Sequence, residues 1–576
     1  MKAVIDIETD SLDATKIWLA AVKDVETGEI QCITDPSYFR HILKDIDEII
    51  GHNFIQFDMH WLNKLWDANI SPDQVTDTLV LSTLFNPDRK GGHSLEAWGN
   101  RFNYPKIDFH DFSRLSNEMI EYCEQDVNLT HKLYDYLMST ESEDFSDVCL
   151  KLEHEIKYVI SEQERKGFFL DLERATGLMA EVKGLANQIL FDIRRDIKPS
   201  PKLIKEVLPK YKKDGSLSVV GLKEIENPTE TISGPFSLIK FVSFNLGSPL
   251  QIVEKMNRFG WKPVDFTPKG QPKITERNLE TVSDSAPKAI KNLAKWKMLE
   301  TRAKTIEGWL DALGDDDRVH GKVMTMGAVT GRMTHSEPNL ANIVANYKPY
   351  GEESRSCWTV PDTQKYCLVG TDAKGLELRM LAHYMKDKEF TEEVINGDPH
   401  TYNQQAAGLA TRDQAKTFIY AFLYGAGPAK IGSIVNGSAR DGRDLQQKFL
   451  TNMPNLAKLT RAVRGKATRG YVRGLDGRRI WIRSEHAALN TLLQGGGAIV
   501  CKQWSIFLKK EIDKRNLSAM LVNTIHDEQQ YEVLRSDAEE VCAISDLAIQ
   551  NVGSFFNMRV PLNADAKIGN TWAETH

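Results

Sequence analysis

At 576 residues the chain is too long for one hydrophobic core and is expected to divide into roughly three or four domains. A hydrophobic content of 41%, a charged content of 27% and a mean hydropathy of −0.39 describe a soluble globular protein, and no apolar run is long enough to make it a helical membrane protein. The net charge of −7 excludes a uniformly basic nucleic-acid binder, and seven cysteines without a CxxC pair argue against a disulfide framework or a zinc site.

Residues 1 to about 145 alternate strand-like and helix-like segments, which predicts an α/β domain. The opening MKAVIDIETD has no apolar leader before its acids, so a cytoplasmic location is expected. In VIDIETD the period of two puts Asp6 and Glu8 on one face of a strand and Ile5 and Ile7 on the other. GHNFIQFDMHWL is read with Asn53 and Asp58 at the start of a helix, and EYCEQDVNLT sets Tyr122 and Asp126 one helical turn apart. Asp6, Glu8, Asp58 and Asp126 make four carboxylates, the set that two Mg2+ ions roughly 3.5–4 Å apart require for phosphodiester hydrolysis. Tyr122 is placed to orient the attacking water. The order DxE, NxxxxD, YxxxD resembles the motifs of DEDDy 3'-5' proofreading exonucleases.

From about 150 to 195 the pattern is helical, a Pro, Gly and Lys-rich interval follows to about 250, and helices resume to about 312. Basic residues gather at 194–213, 291–304 and 458–483, and three such runs together suggest a polyanionic partner. YCLVGTDAKGLELRMLAHYM predicts a buried strand ending at Asp372, then a helix. LVNTIHDEQQYEV predicts a β-hairpin whose turn region holds His526, Asp527 and Glu528. If those two elements are neighbours, Asp372 and Asp527 form a second metal site. Between them, Arg412, Lys416, Tyr420 and Tyr424 recur every four residues, a row that drifts only ~40° per step on a helix. Its basic start and aromatic end suit an anion that carries a flat base, a nucleoside triphosphate.

These segments together resemble family A DNA polymerases, and among them the replicative polymerases of short-tailed phages, whose best-known member borrows host thioredoxin. TDAKGLELR looks like motif A, RDQAKTFIYAFLYGAG like motif B and IHDE like motif C, with support from GAVTGRMTHSEPNLANI, DPHTYNQQAAGLATRD and RSEHAALNTLLQGGGAIVCKQW. The resemblance implies a multidomain α/β protein: an RNase H-like 3'-5' exonuclease domain over 1–145, then a right hand. Its thumb would span 150–335 with a shortened insert near 198–235, its palm 336–387 and 484–576, and its fingers 388–483. It implies Mg2+ as cofactor, two ions per active site with Mn2+ able to substitute, held by Asp372 and Asp527 in one site and by Asp6, Glu8, Asp58 and Asp126 in the other, with Glu528 a supporting acid. His400, Arg412 and Lys416 would grip the triphosphate, Tyr420 and Tyr424 would lie beside it, and Glu377 would obstruct a ribose 2'-OH. Arg332, Asn490 and Gln494 would contact the DNA minor groove at the primer end. Tyr rather than Phe at position 420 goes with ready incorporation of dideoxynucleotides.

The implied partners are primer-template DNA, dNTPs, a phage helicase-primase and a single-stranded DNA-binding protein, for a monomer that does not use a membrane. Two departures stand out. PNLANIV carries Ala341 where the polymerase I pattern has Gln, and the 198–235 interval is short, so processivity independent of thioredoxin is expected. The basic runs at 291–304 and 458–483 are expected to lie along duplex DNA.

Overall fold

The computed structural model describes residues 1–267, 269–279 and 281–576. The chain divides into two compact units, one formed by 1–172 with 312–576 and the other by 173–311. No helix among the described residues is long and apolar enough to cross a membrane.

The first unit opens with strands β1 (Lys2–Thr9), β2 (Ile17–Asp24) and β3 (Ile30–Ile33), helix α1 (Pro36–Leu43), strand β4 (Glu48–Gly51), helix α2 (Asp58–Trp66), strand β5 (Val75–Asp77) and helices α3 (Thr78–Phe85), α4 (Leu95–Arg101) and α5 (Asn117–Tyr136). The five strands form one sheet in the order β3-β2-β1-β4-β5, antiparallel from β3 to β1 and parallel from β1 to β5. Both faces of β1 are covered, which explains its nearly unbroken apolar character. Ala3, Ile5 and Ile7 join Met59, Trp61 and Leu62 of α2 in one core. On the opposite face Val4 joins Leu19, Ile50 and the α5 residues Met119, Cys123 and Val127. Asp6 and Glu8 follow Val4 on that second face, under α5.

Helix α6 (Asp147–Lys166) comes next, its first turn capped by Ser146, whose hydroxyl accepts from Cys149 N–H. Strand β6 (Phe168–Leu170) then pairs with two later strands. Leu152, Ile156, Val159 and Ile160 of α6 lie in the same core as Val369 and Ile499 of the second half of the chain. The separate unit is therefore 173–311, narrower than the expected 150–335, because the apolar stripe of α6 packs into the larger body.

The second unit contains α7 (Leu172–Asp196), β7 (Ser200–Val207), α8 (Pro228–Thr231), β8 (Phe236–Val242), α9 (Pro249–Asn257), α10 (Glu276–Leu279) and α11 (Lys288–Asp311). The long helices α7 and α11 each bury a stripe at helical spacing, and Lys183 of one pairs with Glu307 of the other at 3.1 Å. Strands β7 and β8 form a two-stranded antiparallel ribbon across the interval read as non-helical. In the 291–304 run, Lys297 and Lys304 share Glu300 at 2.6 and 3.4 Å.

The larger body resumes with β9 (Arg318–Val319), β10 (Lys322–Met324), β11 (Thr334–Ser336), α12 (Gly351–Arg355), β12 (Trp358–Thr359), β13 (Tyr366–Ala373), α13 (Leu376–Met385), α14 (Lys388–Asn396), α15 (Pro399–Ala407) and α16 (Arg412–Leu423). There follow α17 (Pro428–Ile434), α18 (Ala439–Asn452), α19 (Pro454–Ala467), β14 (Tyr471–Arg473), β15 (Arg479–Trp481), α20 (Ala488–Lys514), β16 (Ala519–Ile525), β17 (Glu528–Leu534), α21 (Ala538–Phe555) and β18 (Ala564–Gly569). A four-stranded antiparallel sheet in the order β16-β17-β13-β18 is its centre, with α20 and α21 sharing the core.

In the second half of the 458–483 run the arginines meet acids of the chain itself. Arg473 and Arg479 pair with Asp144, Arg483 pairs with Asp88, and Arg478 is buried with Asp476 and Glu153.

Candidate active sites

The first site lies where β1 passes under α5. Asp58 is the first residue of α2, and its Oδ1 accepts from Ile7 N–H at 3.0 Å, which fixes that carboxylate beside the Asp6 and Glu8 strand. Asn53 stands outside the helix, contrary to the expectation, in a left-handed turn (φ 60°) that Asn tolerates better than most residues. Asp77 holds that turn: fully buried, it accepts from the backbone N–H of Asn53 and Leu79 at 2.9 Å and of Ile55 at 3.1 Å. Sequence reading passed over Asp77, although an acid directly before the apolar TLVLSTLF is an N-cap signal.

Asp126 projects from α5, with Tyr122 one turn before it. Asp126 Oδ2 is 2.5 Å from Lys106 Nζ, while its buried Oδ1 has no hydrogen-bond partner. Donor atoms of Asp6, Glu8 and Cys123 lie within 4.8 Å of one another, the one set of three such groups among the described residues. Asp58 and Asp126 flank that set and are felt electrostatically. Burial and the Asp126 charge push the Asp6 carboxyl up to about 7, and burial with the Asp6 and Asp126 charges pushes Glu8 up to about 10. Burial likewise raises Asp58, with Asp6 adding to it, and raises Asp126 against the pull of Lys106. Acids so arranged cannot all ionise unless cations join them. Hard oxygen donors and the orphaned Asp126 Oδ1 fit a divalent cation such as Mg2+ or Mn2+.

Lys106 is a further residue that the sequence reading passed over. Its ammonium sits 4.7 Å from the Tyr122 ring centre. Phe109 stacks on the same ring at 5.5 Å, so the loop before α5 closes over the tyrosine.

The second site is at one end of the central sheet. Asp372 stands opposite Glu528 on one side and Asp565 on the other, and Ala373 N–H donates to the Asp527 carbonyl at 2.9 Å. Acids far apart in sequence thus meet, as expected if the two elements are neighbours. His526 takes a left-handed conformation (φ 55°) to turn the β16–β17 hairpin, which leaves Asp527 at its tip. Burial together with Asp527 and Glu528 pushes the Asp372 carboxyl up to about 7, and burial raises Asp527. Glu528 differs. Its Oε1 accepts from Gln530 at 2.7 Å and Trp572 at 2.5 Å, its Oε2 meets His576 Nδ1 at 2.8 Å, and His576 and these donors hold it below the usual range against its burial.

Helix α16 presents the basic and aromatic row. Arg412 forms a two-point pair with Asp398, the N-cap of α15, at 2.6 and 3.1 Å, so its cation already has an internal anion. Lys416 is exposed and pairs with no acid among the described residues. Tyr420 packs 6.1 Å from the His400 ring and 6.3 Å from Tyr424, and the buried His400 Nδ1 has no partner. The Tyr424 hydroxyl donates to Glu377 Oε1 at 2.7 Å, and Arg332 Nη2 reaches the same oxygen at 3.4 Å. Asn490 and Gln494 lie half-buried in the first two turns of α20.

Comparison with known proteins places these sites in a family. A model described as DNA polymerase family A matches residues 222–574, and one described as 3'-5' exonuclease matches residues 4–140. The DNA-directed DNA polymerases of Enterobacteria phage T3 and Escherichia phage T7 are each 32% identical over 703 aligned residues, which cover 100% of this chain and of each relative. The aligned length exceeds the 576 residues here, so both phage proteins carry stretches that this chain lacks. DNA polymerase I of Aquifex aeolicus is 25% identical, covering 99% of this chain and 95% of its own. Among solved structures, the polymerase domain of Pol1 from M. smegmatis, in complex with DNA primer-template and dNTP, superposes with a TM-score of 0.78 at 18% identity over 100% of this chain and 95% of that one.

Proposed function

We infer the chemistry of this chain from the fact that it belongs to DNA polymerase family A and carries a 3'-5' exonuclease domain ahead of its polymerase region. It is a DNA-directed DNA polymerase, and both reactions are assigned here to two-metal-ion phosphoryl transfer. Primer-template DNA and dNTPs are its substrates for synthesis.

In the polymerase site Asp372 and Asp527 would hold a pair of Mg2+ ions. Bound there, the ions lower the pKa of the primer 3'-OH and neutralise the triphosphate. The residues around them bind and orient. Lys416 and Arg412 take the triphosphate, Arg412 after exchanging Asp398 for it, and His400 offers its free ring nitrogen to the same anion. Tyr420 packs against sugar and base. Glu377, held by Tyr424 and Arg332, excludes a 2'-OH and keeps Arg332 beside the primer end, where Asn490 and Gln494 also reach the minor groove. Glu528 acts through structure: saturated by Trp572, Gln530 and His576, it anchors the strand that presents Asp527.

In the exonuclease site Asp6, Glu8, Asp58 and Asp126 would hold the second pair of ions, and the Tyr122 hydroxyl orients the attacking water. The brevity of the 198–235 interval supports processivity without thioredoxin, to be tested by unchanged product length on its addition.

The observation that carries the reading is the meeting of Asp372 and Asp527 at one sheet end in a body that also presents the Arg412 to Tyr424 face of α16. A 5'-labelled primer on a longer template with Mg2+ tests it. Extension should be lost in Asp527→Ala alone and shortening in Asp6→Ala alone; a wild type that does not extend would overturn the assignment.

A further inference from the structure

Three arginines at the end of the 458–483 run close on two acids of the exonuclease domain. Arg483 grips Asp88 at two points, Nη2 to Oδ1 at 2.6 Å and Nε to Oδ2 at 3.2 Å. Arg473 and Arg479 both pair with Asp144, and the Ser146 hydroxyl donates to the Asp476 carbonyl within the same hairpin. Asp88 follows α3 and Asp144 follows α5, so the hairpin β14–β15 is fastened at Asp144 and the segment that runs from it to α20 at Asp88.

What the hairpin leads to gives these pairs a role. Its chain continues through Arg483 into α20, whose first turns carry Asn490 and Gln494. A small cavity beside it is lined by Thr83 and Leu84 of α3, Val329 and Gly331 of the turn that ends in Arg332, and Ile480 and Trp481 of β15. One space is thus bordered by an exonuclease helix, by the turn that places Arg332, and by the fastened hairpin. The Arg483 and Asp88 side chains are 64% and 53% exposed, so the pair adds little to global stability, and its loss should leave the fold intact.

We propose that Asp88 and Asp144 are positioning residues for proofreading: by holding Arg483, Arg473 and Arg479 they fix the hairpin and the start of α20 against the exonuclease domain, so that a primer end leaving the polymerase site reaches the exonuclease acids without leaving the protein. The inference rests on the two activities assigned above. Transfer within one binding event depends on the effective concentration of the primer end at the second site, which a fixed geometry raises.

The test uses the full chain and its Asp88→Ala/Asp144→Ala variant on a primer with a mismatched 3' end, with excess trap DNA so that each enzyme acts in a single binding event. Digestion of single strands and extension of matched primers should keep wild-type rates, while mismatch excision falls about three- to tenfold. Asp88→Arg should show part of this loss, and adding Arg483→Asp to it should restore excision. Unchanged excision under the trap would overturn the proposal, and so would a proportional loss on single strands, which marks a merely structural role. A wild type inert on single strands would overturn the exonuclease assignment instead.

Discussion

Lys106 reaches the four-acid site from a loop, and its charge lowers the proton affinity of three of the acids. It pulls against burial at Asp6, Glu8 and Asp126, and it lies over the Tyr122 ring. Lys106→Met should therefore move the acid limb of the exonuclease pH–rate profile to higher pH by about one unit, and slow single-strand digestion by about tenfold at neutral pH. A profile that keeps its position would show that the ammonium does not tune the acids. Lys106 was not legible in the sequence, whereas Asp6, Glu8 and the Tyr122–Asp126 pair were. The latter follow from strand and helix periods, which local sequence encodes; Lys106 acts from an irregular stretch whose path depends on Phe109 and Phe112 finding Tyr122.

At the scale of elements, Asp77 joins three things that a period cannot reveal. It ends β5, caps α3 and gathers the backbone N–H groups of the Asn53 turn, which in turn sets the start of α2 and Asp58. Asp77→Ala leaves several buried donors without an acceptor as well as an uncapped helix. The exonuclease domain should lose about 2–4 kcal/mol in chemical denaturation, and exonuclease activity should fall with it while the polymerase site is spared. Asp77→Asn should recover the cap and the bond from Asn53, which share Oδ1, and lose the bond from Ile55, since the amide nitrogen that replaces Oδ2 cannot accept. The same limit explains α6. Its periodicity makes the helix legible, but which body receives the apolar stripe of Leu152, Ile156 and Ile160 is settled only by the sheet and by α20. The ion pairs of the arginines at 473–483 were hidden for a similar reason, because their acids lie far off at 88 and 144.

The whole molecule rests on a buried ionic cluster and on buried neutral histidines. Glu153 of α6 takes Lys502 of α20 at 2.6 Å and Arg478 of the hairpin, and all three side chains are at most 5% exposed. Burial pushes the Lys502 amine down to about 8 although Glu153 supports its charge, while its two cationic partners hold Glu153 low. Removing the acid strands Lys502 where water cannot reach it and leaves Arg478 to Asp476 alone. Glu153→Gln should cost about 3–5 kcal/mol of unfolding free energy, and both activities should be lost together on heating because α6 joins the two parts of the larger unit. Survival of polymerase activity beyond exonuclease loss would show that α6 does not couple them.

His383 gives the pH dependence its sign. Burial beside Arg559 and Lys386 pushes its imidazole down to about 4, and its Nδ1 accepts from Arg559 N–H at 3.2 Å, a bond only the neutral ring can make. In the unfolded chain the ring titrates near 6.5. Between those values the unfolded state carries the extra proton, so stability is full above about 6.5 and falls as pH drops toward 4. The unfolding midpoint in denaturant should therefore decline from pH 7 to pH 4.5, with His383 contributing on the order of 1–2 kcal/mol. His383→Gln, which keeps an acceptor without a proton to gain, should start lower at pH 7 yet fall less steeply. Parallel slopes for the two proteins would assign the acid sensitivity to other groups.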